Sequence, residues 1–359
     1  MKVAFITRST LYEVPGGDTE QIVQTAKCLE DLGIEADIYL TNQRVDYNNY
    51  DLLHFSNIIR PSDILYHTQK ANRPFVISPN LIDYSEYDKK QRAGIPGFIF
   101  RLLPSDTIEY LKTIMRWLLK KDILKTKSYL SKGQKRSIRE VLEKTSIILP
   151  NSDSEQAFLR KTYTIEKPYS VVPNGINVRV FKPNGAYSKD NNLVVCAARI
   201  EGLKNQLNLI KALNHSPFTL MVVGDPAPNQ KKYYQKCKKI AASNIVFTGR
   251  LPQNELADIY QKAKVHVLPS WLETCGLSSL EAAAMGCNIV ITDRGSTREY
   301  FGDDAFYCDP ADPASILQAV EKASEKDAQK CLQRKIFDNY TWQKAATITL
   351  KAYKKIIPG

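Results

Sequence analysis

Short apolar runs and amphipathic stretches alternate along this chain, and the alternation occurs twice. In the first half, apolar runs at 3–6, 36–40, 52–55, 75–77 and 147–149 have the length of buried strands. After the first run, Ile22, Val23, Ala26, Leu29 and Leu32 recur at helical spacing, and Gly33 stops the pattern. A second series begins near Leu193. It predicts strands at 193–197, 219–223, 245–247, 265–268 and 289–291, with helices at 205–213, 230–242, 254–263 and 277–284. Strand, helix and strand in regular order predict α/β, doubly wound parallel sheets. A chain of 359 residues is comfortable for two such domains. Between the two series stands Val171-Val172-Pro173-Asn174-Gly175-Ile176-Asn177, then Phe181-Lys182-Pro183, where Pro and Gly read as a connection. The predicted organisation is a first domain over 1–170, a linker over 171–184 and a second domain over 185–338. A last helix, about 340–359, crosses back to the first domain.

Composition places the chain among globular proteins, with 43% hydrophobic and 25% charged residues. No apolar stretch reaches the length of a transmembrane helix. The apolar run after Met1 is too short for a signal peptide and reads as a buried strand. Seven cysteines stand singly, with no metal-ligand spacing to the four histidines. That usage fits a reduced cytoplasm.

The net charge of +12 is concentrated: from Lys112 to Arg139 there are ten Lys or Arg against one acid, Asp122. Around 106–125 the pattern is that of an amphipathic helix. Leu111, Ile114, Met115 and Leu118 share one face, and Lys112, Arg116 and Lys120 form a stripe on another. Two readings stay open. One is a surface helix with a solvated basic face. The other is attraction to an anionic membrane surface, which Trp117 favours. No nucleic-acid motif accompanies the charge, so nucleic acid is not an expected partner.

Three loops carry candidate chemistry. Arg199-Ile-Glu-Gly-Leu-Lys204 directly follows a predicted strand, where open α/β sheets bind ligands. A forked cation and a point cation there suit a departing diphosphate. The second loop, Pro269-Ser-Trp-Leu-Glu273-Thr-Cys275-Gly276-Leu277-Ser278-Ser-Leu-Glu281, leads from a strand into a helix. The free N–H groups of that helix's first turn suit phosphate or sugar oxygens. Glu281 can accept ribose hydroxyls and Glu273 those of a transferred sugar, or each serves only the electrostatics of the helix N-terminus. The third, Gly16-Gly17-Asp18, lets backbone approach a phosphate, or is a plain tight turn. It is not G-x-G-x-x-G, which argues against a nicotinamide enzyme. Asp303-Asp304 reads as turn chemistry rather than a metal pair.

With Glu273 and Glu281 in an E-x7-E arrangement and Arg199 and Lys204 in an R-x4-K pair, the chain resembles the retaining GT-B glycosyltransferases of family 4. Val172-Pro-Asn-Gly-Ile-Asn177-(x3)-Phe181 is similar to that family's inter-domain signature, and Val222-Val-Gly224, Phe247-Thr-Gly249 and Leu268-Pro-Ser270 to its strand ends. The resemblance covers most of 145–310. It implies the GT-B fold, two Rossmann-like domains across a cleft, with a nucleotide-sugar (UDP- or GDP-sugar) donor on the second domain and the acceptor on the first. It implies that Arg199 and Lys204 stabilise the diphosphate, Glu281 binds the ribose and Glu273 the sugar. Cys275 to Ser278 line the donor site, Gly16 and Gly17 close on the phosphates, and Gly249, Arg250 and Leu251 flank the base. It further implies retention of configuration with no metal and no cofactor, and a front-face route in which Arg199, Lys204 and Glu273 are the catalytic groups.

One departure concerns the acceptor side. Many relatives carry a His after the strand that here runs into Ser78-Pro79-Asn80. His54 and Asn80, with the acidic and aromatic run 83–88, are the acceptor-side candidates, although a structural role for His54 is an equal reading. The function expected is transfer to a growing cell-surface polysaccharide or lipid-linked glycan, on the cytoplasmic side and peripheral to the membrane. Transfer to a small soluble acceptor, or a non-catalytic partner subunit, are the alternatives.

Overall fold

The computed structural model describes residues 1–81, 103–119, 123–185 and 188–357. The run 83–88, Lys120, Lys121 and Asp122 lie outside the described residues. The chain divides into two compact units, Met1–Pro173 with Trp342–Gly359, and Asn174–Thr341.

The first unit holds a parallel sheet of β1 (Lys2–Thr7), β2 (Glu35–Leu40), β3 (Leu52–Ser56), β4 (Phe75–Ser78) and β5 (Ile147–Ile148), in the order β2-β1-β3-β4-β5. β3 and β4 are buried along their whole length, as strands covered on both faces must be. Its helices are α1 (Gly17–Glu30), α2 (Pro61–Ala71), α3 (Ser105–Leu118), α4 (Ser128–Lys144) and α5 (Asp153–Tyr163). Pro61 opens α2 with its φ already set, and the Ser152 hydroxyl caps α5 by accepting from Glu155 N at 3.0 Å.

The second unit holds β6 (Asp190–Ala197), β7 (Thr219–Val223), β8 (Ile245–Gly249), β9 (Ala263–Leu268), β10 (Asn288–Thr292) and β11 (Phe306–Cys308), ordered β11-β10-β9-β6-β7-β8. Helices α6 (Gln206–Leu213), α7 (Lys231–Ile240), α8 (Gln253–Lys262), α9 (Leu277–Ala284), α10 (Thr297–Phe301), α11 (Pro313–Glu325) and α12 (Lys330–Asn339) cover it. The expected linker does not stand apart. From Asn174 onward it packs into this unit, with Ile176 and Phe181 in the core. Apolar side chains at those two positions gain more by burial than a flexible connection would.

The last helix, α13 (Trp342–Lys354), belongs to the first unit and packs on α1. Trp342 and Tyr353 are buried there. The Tyr353 hydroxyl lies 2.6 Å from Nδ1 of His54, in the middle of β3.

Candidate functional site

In the second unit the chain runs from β6 to β7 and β8 on one side, then returns to lay β9 on the other. The connections therefore part between β6 and β9, and a ligand crevice opens beyond the carboxyl ends of such strands. The two loops that leave β6 and β9 carry the Arg199–Lys204 and Glu273–Glu281 motifs.

Three contacts tie these loops together. Trp271 N donates to Leu203 O at 2.9 Å. Asn205, left-handed at φ 60, donates from Nδ2 to Pro269 O at 3.0 Å and to Pro310 O at 2.7 Å. Lys204 Nζ donates to Glu273 Oε1 at 2.5 Å, and Ser270 Oγ donates to the same oxygen at 2.6 Å. The Glu273 side chain is 6% exposed and that of Lys204 20%. A carboxylate so buried is held by its cation and a hydroxyl, while the ammonium stays within reach of solvent and of an incoming anion.

The Glu273 backbone is fixed as well. Glu273 N donates to Arg294 O, and Glu273 O accepts from Ser296 N at 3.1 Å. The chain passes so close at Gly295, where φ is 96°, that a Cβ would stand 1.9 Å from Glu273 O. Only glycine fits. Arg199 is more open, with 43% of its side chain exposed and Nη2 at 3.2 Å from Glu201. Gly276, at φ 65, caps α9 and turns the chain so that the N–H groups of Leu277 and Ser278 begin the helix. Glu281 sits half-buried one turn further on. Gly249 ends β8 at the far edge of the sheet, Arg250 is exposed with its N–H on Asp225, and Leu251 packs partly on the core.

Two of the candidate side chains are enclosed by the fold, Cys275 and His54. Cys275 turns its thiol inward. It is 1% exposed and its sulfur accepts from Asn174 Nδ2 at 3.3 Å. Burial raises its thiol to about 12, so it stays protonated. His54 is equally enclosed: Nε2 meets Ser78 Oγ at 2.8 Å while Nδ1 meets Tyr353, and burial lowers the imidazole to about 3. It pins α13 to β3 and β4 as a neutral ring rather than facing an acceptor. Asn80 is engaged as well, in a closed triangle of amides. Asn80 Nδ2 donates to Gln21, Gln21 Nε2 to Asn151, and Asn151 Nδ2 to Asn80 Oδ1, at 2.7 to 2.8 Å.

In the first unit, Gly16 and Gly17 open α1 after a loop organised by Arg8. Its guanidinium grips Asp18 through Nε at 2.6 Å and Nη2 at 3.0 Å, and reaches Thr10 O and Val14 O. Sequence reasoning missed Arg8, Asn205, Ser270 and Gly295. The signals were an Arg at a strand end and polar or Gly residues beside the named motifs, none readable without the contacts.

Residues 179–341 match the family model for glycosyl transferases group 1. The D-inositol 3-phosphate glycosyltransferase of Corynebacterium urealyticum is 23% identical over 266 residues, 64% of this chain and 63% of that protein. The chain thus spans less than two thirds of that relative's length. The sucrose-phosphate synthase of Thermosynechococcus elongatus superposes over 99% of both chains, with a TM-score of 0.76 at 16% identity. HepE of Anabaena, solved in complex with UDP-glucose, covers 99% of both chains with a TM-score of 0.71 at 16% identity. The chain has the GT-B fold, and most of its second unit matches the model for glycosyl transferases group 1.

Proposed function

We propose that this chain is a retaining glycosyltransferase that moves a sugar from a UDP- or GDP-sugar, held by the second unit, to a growing cell-surface polysaccharide or lipid-linked glycan. The observation that carries the reading is the Lys204–Glu273 pair, drawn together across 69 residues of sequence at the parting of β6 and β9. The site offers two cations and helix N–H groups and, among the described residues, no obvious nucleophile. Its chemistry is electrostatic: Lys204 and Arg199 take up the charge that grows on the departing diphosphate. The leaving phosphate oxygen accepts the acceptor's proton on the same face, so configuration is retained. Glu273 holds hydroxyls of the sugar while its own position is set by Lys204 and Ser270, and Glu281 holds the ribose. Binding of UDP-glucose by HepE supports a nucleoside diphosphate sugar as donor.

Thermal stabilisation and donor hydrolysis with a panel of UDP-, GDP-, ADP- and CDP-sugars test this. A ligand at about 100 times its dissociation constant stabilises its unit by about 2.7 kcal/mol. One base shifting the wild type but not Lys204→Ala is the expected result. No shift with any nucleotide would overturn the donor assignment and favour a non-catalytic subunit.

A further inference from the structure

We propose that the outward face of α3 is a docking surface for an anionic lipid bilayer, a proposal that rests on the transferase reading only for its purpose, bringing a lipid-linked acceptor to the first unit. Amphipathic helices on soluble proteins turn their apolar stripe inward and leave their charges in water. α3 buries Ile108 but leaves much of its apolar stripe in water. Leu111, Met115 and Leu118, at i, i+4 and i+7, are 45%, 62% and 68% exposed. Trp117, Leu119 and Ile123 extend the same stretch and are exposed as well.

The helix is anchored through its first turns. Ile108 is buried, the Tyr110 ring packs on Tyr129 at 5.5 Å, and Asp106 accepts from the Tyr163 hydroxyl at 3.2 Å. The apolar stripe of its later turns therefore projects from a fixed base. Most of the large apolar side chains exposed among the described residues fall between 111 and 130. A patch of that kind marks a surface that something else covers.

Charge selects the partner. Ten Lys or Arg against one acid run from Lys112 to Arg139. Some are engaged within the fold, Lys112 with Glu109 and Lys132 with Glu140. Arg116, exposed between Met115 and Trp117, lines one cavity with Trp117, Ile123 and Leu124. Apolar side chains framed by cations, with an indole beside them, fit the boundary between acyl chains and anionic headgroups. A protein partner of matching shape would have to bring both an apolar groove and a surplus of acids. A bilayer offers both without further specification.

The test is cosedimentation of the full chain with phosphatidylcholine vesicles that contain or lack phosphatidylglycerol. Wild type should sediment with the anionic vesicles only, and less as salt rises. Arg116→Gln should weaken partition about fivefold, and Met115→Glu with Leu118→Glu by at least about tenfold. These side chains are already in water, so the double variant should keep its nucleotide-sugar thermal shift. Wild type remaining in the supernatant, or the double variant sedimenting as well as wild type, would overturn the proposal while leaving the transferase reading intact. A wild-type dimer that the double variant converts to a monomer, with no vesicle binding, would instead assign the face to a second copy and overturn it too. Vesicle binding without any nucleotide-induced shift would sink the transferase reading and spare the docking surface.

Discussion

Replacing Lys204 by alanine strips the Glu273 carboxylate of its cation in a place where water reaches little of it, since only 6% of that side chain is exposed. The carboxylate then keeps a single partner, the Ser270 hydroxyl. Breaking a fully buried pair costs about 3–5 kcal/mol. Lys204 is 20% exposed, so water softens the loss, and about 2–3 kcal/mol is expected for the second unit. Glu273→Gln in the same background removes the stranded charge while its amide oxygen still accepts from Ser270. It should recover at least about 1.5 kcal/mol, a factor of roughly ten in the folding equilibrium. Urea unfolding followed through Trp271, buried in the same loop, reads both variants. If Lys204→Ala costs less than about 0.5 kcal/mol, the pair behaves like a surface ion pair and the two loops are not locked by it. The transfer rate separates structure from chemistry. With donor saturating and below the unfolding temperature, Lys204→Ala should lower kcat by about 100- to 1,000-fold.

Two further outcomes follow from geometry and burial. Gly295→Ala sets a methyl 1.9 Å from Glu273 O at a left-handed φ, so Glu273 must move; donor-induced thermal stabilisation should disappear, and its retention would show that the loop tolerates the crossing. Burial holds His54, His67 and His266 neutral, at about 3, 4 and 3, below the ordinary 6.5, so their contribution is complete above pH 6.5 and is lost as pH falls below it. Glu155 opposes them, because burial lifts its carboxyl from 4.5 to about 7 and its contribution is lost as pH rises through that range. Two imidazoles against one carboxyl in the first unit, and one imidazole in the second, predict that the urea stability of both units falls as pH drops from 6.5 to 4.5; a flat profile there would show that the buried imidazoles take up protons within the fold.

The elements legible in the sequence were those whose own residues determine them. β3, β4, β9 and β10 are buried along their whole length and mostly apolar, with His54, Lys264 and His266 as interior exceptions, and each falls within a residue or two of its predicted place. α2, α5, α11 and α12 escaped notice although Pro61, Ser152 and Pro313 sit at their starts, since their stripes are narrow and interrupted by charge. β11 has three residues, too few to establish a period. For α3 the periodicity defined an apolar face but not what covers it, because a stripe in the sequence says nothing of its neighbours. The site divides in the same way. Spacing picked out Arg199, Lys204, Glu273 and Glu281. The Lys204–Glu273 pairing, the inward turn of Cys275 and the need for glycine at 295 depend on chain segments brought together from 20 to 100 residues apart.

The return of α13 to the first unit has a consequence for the order in which the molecule is made. Everything from Asn174 to Thr341 is one uninterrupted stretch, so the second unit has all its residues before the ribosome reaches Trp342. The first unit, begun earlier, must wait. Until Tyr353 emerges, His54 lacks its Nδ1 partner and α1 lacks the helix that packs on it. Of the two units, the one translated first is thus the one that finishes folding last, and during that interval its open flank is what chaperones and proteases meet.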